Sequence, residues 1–133
     1  MRQLVAACTM ALLLPMHAPA DTAGVQACDV QRGPCVMRNA SGLEISLSLE
    51  PRPVRSMQDL EFFITLRKSG RPVTGAAVIL DLSMPGMYMG VNQPKMREDR
   101  EGRYRGRGVI PRCMTGRWTW QAFVTVSSGG TVE

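Results

Sequence analysis

The feature that most constrains the fold of this chain is a two-residue alternation of apolar and polar side chains, which recurs in four separate runs. Successive side chains of a β-strand point to opposite faces, so each run predicts a strand with one buried face. The apolar positions are Leu43, Ile45, Leu47 and Leu49; Leu60, Phe62, Ile64 and Leu66; Val78, Leu80 and Leu82; and Trp118, Trp120, Ala122, Val124 and Val126. We expect both tryptophans to point into the core.

Turn-forming sequences separate these runs at the places where strands should reverse direction. The turn sequences are Glu50-Pro51-Arg52-Pro53, Lys68-Ser69-Gly70-Arg71-Pro72 and Glu101-Gly102. Short alternating strands at this spacing predict an all-β, antiparallel β-sandwich of about seven strands.

The N-terminus has the pattern of a signal peptide. Arg2 precedes an apolar run from Leu4 to Leu14, and the small-residue sequence Ala18-Pro19-Ala20 follows. We predict cleavage before Asp21 and export to the periplasm or otherwise out of the cytoplasm. An uncleaved anchor is the alternative, but an apolar run of about a dozen residues is short of the roughly 20 that a transmembrane helix needs, and the mature chain is expected to have no transmembrane span.

The predicted layout is a single domain. Residues 1–20 form the leader, 21–42 an N-terminal segment with Cys28 and Cys35, 43–126 the sandwich, and 127–133 a frayed tail rich in glycine, serine and threonine.

Loss of the leader would remove His17, the only histidine of the chain. Without imidazole, a Ser-His-Asp or Cys-His catalytic arrangement and a histidine-ligated zinc or copper site are excluded. The carboxylates Glu98, Asp99 and Glu101 fall in a charged turn, where solvation explains them. We therefore predict a binding protein and not an enzyme.

The formal net charge of the whole chain is +5, which is too small to indicate nucleic-acid binding without a base-stacking motif.

Arg103, Arg105 and Arg107 share one face of a predicted strand. This face is either a solvated outer surface or a docking stripe for an acidic partner or anionic lipid headgroups. An envelope or membrane protein is the kind of partner that an exported chain of this type would meet.

Three cysteines would remain after cleavage, so one pair can form a disulfide and one thiol is left over. Cys28 and Cys35 enclose a short loop that contains the turn Gly33-Pro34, and we predict that they are bonded to each other. The spacing leaves open the alternative in which Cys113 pairs with one of them.

Methionines are concentrated in one loop. Four of the chain's ten lie between Met84 and Met96, within and just after the sequence Met84-Pro85-Gly86-Met87-Tyr88-Met89, and Met114 follows Cys113. Thioether and thiolate sulfur are the ligands that Cu(I) prefers. The candidate ligands are therefore Met84, Met87 and Met89, with Met96, Cys113 and Met114 as further candidates. The alternative is that these methionines plug the open end of the sandwich, because methionine is also an adaptable core filler.

Several of these motifs, in this order, resemble the YtkA-like domain and, more weakly, FixH. They are Met84-Pro85-Gly86-Met87, then Gly102-Arg103-Tyr104, and then Pro111 with Gly116-Arg117-Trp118. The resemblance covers roughly residues 43–126. It implies an immunoglobulin-like sandwich outside the cytoplasmic membrane, in a group associated with copper handling or cytochrome oxidase assembly.

By the same resemblance, Met84, Met87 and Met89 would be the ligands of the loop, while Tyr104 and Trp118 would be core residues. Two functions follow as hypotheses. One is a periplasmic Cu(I)-binding or copper-delivery protein, and the other is a metal-free interaction module for an envelope or membrane protein.

Overall fold

The computed structural model describes residues 26–133, and every regular element in that range is a β-strand. The predicted leader, with His17 and Cys8, lies outside the described residues. The strands are β1 (Cys35–Arg38), β2 (Leu43–Glu50), β3 (Asp59–Lys68), β4 (Arg71–Pro72), β5 (Ala77–Ser83), β6 (Arg97–Arg100), β7 (Arg103–Val109), β8 (Gln121–Ser128) and β9 (Thr131–Val132). Within residues 26–133, no helix is long and apolar enough to cross a membrane.

The strands form two antiparallel sheets. The larger sheet has the order β1-β2-β3-β7-β6, with the short β4 also paired to β3, and the smaller sheet has the order β5-β8-β9. The three predicted turn sequences join β2 to β3, β3 to β4 and β6 to β7. The prediction of an all-β antiparallel fold is confirmed.

Both sheets contribute to one apolar core. The inward residues of the first three alternating runs are all buried, and Leu80 of the smaller sheet belongs to the same cluster as Phe62 of the larger one. This shared core is what a sandwich of two sheets requires. The immunoglobulin-like strand topology stays a prediction.

The register between β2 and β3 places like side chains opposite each other. Ile45 pairs with Leu66, and Leu47 pairs with Ile64. A slip of one residue would turn all of these side chains toward solvent, so burial itself fixes the register.

Tyr104 links the larger sheet to the segment that leads into the smaller one. Its side chain is 1% exposed, its hydroxyl donates to the Val73 carbonyl at 2.9 Å, and the Ala76 amide donates to the hydroxyl at 3.0 Å. Burial raises the pKa of Tyr104, which keeps the phenol protonated. The core position that the resemblance implies for Tyr104 is therefore correct.

The prediction that Trp118 points into the core is wrong, because its side chain is 86% exposed. Strand β8 begins only at Gln121, opposite Ser83, the last residue of β5. Alternation fixes the direction of a side chain only where the chain is extended and paired. Trp120 is partly buried and packs against the core.

The predicted disulfide between Cys28 and Cys35 is confirmed, with a Cα–Cα distance of 5.8 Å, and Cys113 is a buried free thiol. Gln31, inside the disulfide loop, exchanges two hydrogen bonds of 2.7 Å with the backbone of Val54. The N-terminal segment is thus attached to the sandwich without a bridge to Cys113.

The C-terminal residues differ from the predicted frayed tail. Strands β8 and β9 form a hairpin, and the backbone groups of Glu133 and Val126 exchange two hydrogen bonds. The Glu133 carboxylate accepts hydrogen bonds from Ser41 at 2.7 Å, Lys68 at 3.0 Å and Asn39 at 3.2 Å. Composition alone could not reveal these long-range contacts.

The two tryptophans provide a matched test of the packing. We expect Trp120→Ala to lower the free energy of unfolding by about 2 kcal/mol, since the indole is only partly buried, and Trp118→Ala to change it by less than about 0.5 kcal/mol. Urea unfolding of both variants checks this, and equal losses would contradict the structure.

Glu133 predicts a specific acid sensitivity. Hydrogen bonds from Ser41, Lys68 and Asn39 lower its pKa from 4.5 to about 2. A carboxyl group whose pKa is lower in the folded than in the unfolded protein stabilises the fold. This contribution is complete above the pKa of the unfolded state and is lost as the pH falls through the pKa of the folded state. In urea unfolding, Glu133→Gln should be less stable than wild type at neutral pH, and the difference should shrink between pH 4.5 and 2.

Glu101→Gln, in the exposed turn between β6 and β7, controls for the loss of one negative charge. A difference between wild type and Glu133→Gln that stays constant down to the lowest pH would count against the anchoring role of this carboxylate.

Candidate functional site

The methionine loop begins with a tight turn directly after β5. Pro85 and Gly86 occupy its two central positions, the φ of Gly86 is 74°, and the Met87 amide donates to the Met84 carbonyl at 3.1 Å. Proline followed by a residue with positive φ is the pattern of a type II turn. The turn makes Met84 and Met87 a cross-strand pair, and the side chains of such a pair lie on the same face.

Beyond the turn, burial alternates along the chain. Met87 and Met89 are half-buried, whereas Tyr88 between them is 86% exposed. This pattern agrees with an extended segment in which Met87 and Met89 share the inner side.

The second half of the site comes from the connection between β7 and β8. Cys113 is 7% exposed and is followed by a turn in which the Gly116 amide donates to the Cys113 carbonyl at 3.1 Å. The Cys113 Sγ lies 3.6 Å from the Met87 Sδ and 2.9 Å from the Thr115 Oγ1. A thiol and a thioether that lie 26 residues apart in the chain are thus in direct contact.

Arg117 joins the two loops and acts on the thiol. Its Nη1 donates to the Pro85 carbonyl at 3.2 Å. The pKa of the Cys113 thiol is lowered, chiefly by hydrogen bonds from the side chain and backbone of Thr115 and to a smaller extent by the backbone amide and charge of Arg117. A lower pKa makes the thiolate, which is the metal-binding form, available closer to neutral pH.

Thr115 and Arg117 were not among the site residues predicted from the sequence. The signal that could have suggested them is their position two and four residues after Cys113, together with the place of Arg117 in the motif Gly116-Arg117-Trp118. That signal is weak, because it depends on how the turn at Gly116 folds the chain back toward the sulfur.

The other two predicted sulfur ligands lie elsewhere. Met96 packs against the core, and its Sδ lies only 2.5 Å from where a Cβ on Gly106 would be, so Met96 fills the space left by that glycine. Met114 is 96% exposed, although it follows Cys113 directly. The structure therefore brings together Met84, Met87 and Cys113, but not Met96 or Met114.

Among residues 26–133, no group of three or more histidine, cysteine, aspartate or glutamate side chains is placed to hold a metal ion. Methionine belongs to a separate class of donor, which binds soft ions such as Cu(I).

The predicted arginine stripe lies on the outer face of β7, where carboxylates meet each of its members. Arg103 makes two hydrogen bonds to Asp99, at 2.6 and 2.9 Å, while Arg105 and Arg107 both pair with Glu61. The charge of the stripe is thus partly neutralised within the chain. Arg107 is the most exposed of the three, at 78%.

The environment of Cys113 can be tested on the thiol itself. We expect Thr115→Val to raise the pKa of Cys113, because the strongest hydrogen bond to the sulfur is lost, and Arg117→Gln to raise it less. The ultraviolet absorbance of the thiolate, followed as a function of pH, measures both values. A larger effect of Arg117→Gln than of Thr115→Val would reverse the assigned causes.

Comparison with known proteins gives one match. A sequence model of the YtkA-like family matches residues 37–123, which include the methionine turn, Cys113 and Arg117. No curated protein and no solved structure matches the chain. The match covers more than half of the chain and contains both loops of the site, and the chain therefore belongs to the YtkA-like family.

Proposed function

We propose that this protein is an exported Cu(I)-binding or copper-delivery protein. The observation that carries the proposal is the contact of 3.6 Å between the Met87 Sδ and the Cys113 Sγ. It joins two soft donors from loops that are far apart in the sequence, at a place where a lowered pKa favours the thiolate.

The donor set suits Cu(I) in hardness and in charge. Thioether and thiolate sulfur favour Cu(I) over harder divalent ions. One thiolate also balances the single positive charge of Cu(I), which reduces the cost of holding the ion at a buried site. Met84 is the third ligand in this proposal, because it shares a face with Met87, and Met89 is a fourth candidate on the inner side of the same segment.

A carrier role suits this site better than catalysis. Its donors come from two connections outside the named strands, and only Met84 and Met87 are paired with each other, so Cys113 can separate from the methionines when an acceptor competes for the ion. The Cys28–Cys35 disulfide supports export, because such bonds persist mainly in oxidising compartments.

A metal-free interaction module is the second candidate. It is favoured by the burial of Met84, which is 3% exposed, and by the packing of Met96 over Gly106. Both observations are also typical of methionine used as a filler at the end of a core.

Competition titration with a Cu(I) chelator under reducing conditions separates the two candidates. We expect wild type to bind one Cu(I) per chain and the triple variant Met84→Leu, Met87→Leu and Met89→Leu to bind at least about tenfold more weakly, because leucine keeps the volume but removes the thioether. Cys113→Ser should weaken binding by a similar factor or more.

Met114→Leu is the matched control, since it removes an equivalent thioether that is 96% exposed and should leave the affinity unchanged. No binding by wild type, or equal binding by wild type and the triple variant, would leave these methionines as a hydrophobic plug.

A further inference from the structure

We propose that one end of the sandwich is a docking surface for an anionic lipid bilayer. This surface, called the tip, consists of residues 51–58, 84–91 and 110–120, which belong to three different connections. Two hydrogen bonds hold them at the same end of the molecule, because the Met57 amide donates to the Ile110 carbonyl at 2.9 Å and the Arg117 side chain donates from Nη1 to the Pro85 carbonyl at 3.2 Å.

Large apolar side chains project from all three connections of the tip. Trp118 and Tyr88 are each 86% exposed, Met114 is 96%, Val91 is 79% and Met57 is 65%. Exposure of this extent means that each side chain contacts little of the protein, including its apolar neighbours. Single exposed apolar residues are ordinary, but five at one end of a small domain require an explanation.

The charge of the tip has one sign. Its residues include no aspartate or glutamate, whereas they include four cationic residues: Arg52, Arg55, Arg112 and Arg117. The nearest carboxylates along the chain are Glu50 and Asp59, at the strand ends that border residues 51–58. Cationic residues around exposed apolar side chains are complementary to the anionic headgroups and acyl chains of a bilayer.

The separation of these side chains favours lipid over a protein partner. A protein interface needs a packed apolar centre that matches the shape of its partner. Side chains that stand apart at loop ends do not form such a centre, but each can enter the fluid boundary between headgroups and acyl chains. Tryptophan and tyrosine are the residues enriched at that depth.

Membrane docking is independent of copper. A tip that enters the headgroup layer would nevertheless place the Met87 and Cys113 sulfurs beside the membrane surface, because Tyr88 and Met114 are their direct neighbours in the chain. Vesicle binding can therefore be tested on the metal-free protein, and its failure would leave the proposed Cu(I) site untouched.

The test uses vesicles of phosphatidylcholine, with and without phosphatidylglycerol. The protein is purified from the cells that produce it, with whatever N-terminus those cells leave on it. Trp120→Phe leaves Trp118 as the only indole, since the chain has two tryptophans. We expect the Trp118 fluorescence to shift to shorter wavelength, and brominated acyl chains to quench it, with at least about tenfold stronger binding to the anionic vesicles at low salt.

Two pairs of variants locate the surface. Met114→Ser with Trp118→Ser should weaken vesicle binding at least about tenfold, whereas Val36→Ser with Val132→Ser, which removes apolar side chains that are 47% and 67% exposed outside the tip, should not. Likewise, Arg55→Gln with Arg112→Gln should reduce binding to anionic vesicles, whereas Arg67→Gln with Arg71→Gln, at the opposite end of β3, should not. The quenching of Trp118 distinguishes docking by the tip from attachment by the N-terminal segment.

Absence of a Trp118 shift with anionic vesicles would overturn the proposal, as would binding that the tip variants leave unchanged. Binding to native membranes but not to vesicles made from their extracted lipids would point to a membrane protein as the partner and would equally overturn it.

Discussion

Burial of one face of β3 is the constraint on which the rest of the structure depends. Its inward residues Leu60, Phe62, Ile64 and Leu66 are at most 1% exposed, and the strand pairs with β2 on one side and with β7 on the other. Because side chains alternate across a strand, this burial fixes the register of both neighbours and turns Tyr104 of β7 toward the core. The hydroxyl of Tyr104 then holds the segment that leads into β5, so the position of the smaller sheet also depends on this packing.

The same pairing explains why part of the fold could be predicted from the sequence. Where two alternating runs lie opposite each other, as in β2 and β3, the apolar pattern and the pairing specify the same buried face. Trp118 continues the pattern of β8, but β5 has already ended at Ser83, and within residues 26–133 no strand lies opposite Trp118. The prediction failed there because direction depends on a partner that the local sequence does not contain. The structure departs from the predicted frayed tail at Glu133 for a related reason. The residues that bind its carboxylate, Asn39, Ser41 and Lys68, are distant in the chain.

The candidate site could be predicted only in its chemistry. Residue type identified Met84, Met87 and Cys113 as soft donors, and the Pro85-Gly86 turn was readable from the sequence. The contact between the two loops was not readable from the sequence, because it depends on where β5 ends relative to the start of β8. The roles of Thr115 and Arg117 depend in turn on the fold of an irregular loop, and propensities constrain such loops least. Local chemistry thus named the donors, while the ends of the strands decided which of them meet.

Arg117 connects the chemistry of the sulfur pair with the shape of the tip. Its guanidinium contacts the Pro85 carbonyl, and its backbone amide and charge help to lower the pKa of Cys113. A cation beside a thiolate stabilises the negative form, but binding of Cu(I) to that thiolate would remove the charge that Arg117 compensates. The attraction between Arg117 and Cys113 would then weaken, while the ion itself would join the methionine loop to Cys113 and the contact of Arg117 with Pro85 would remain. Loading of the proposed Cu(I) site would therefore act, through Arg117, on the loops that carry Tyr88 and Trp118, whereas these side chains are already exposed in the metal-free protein.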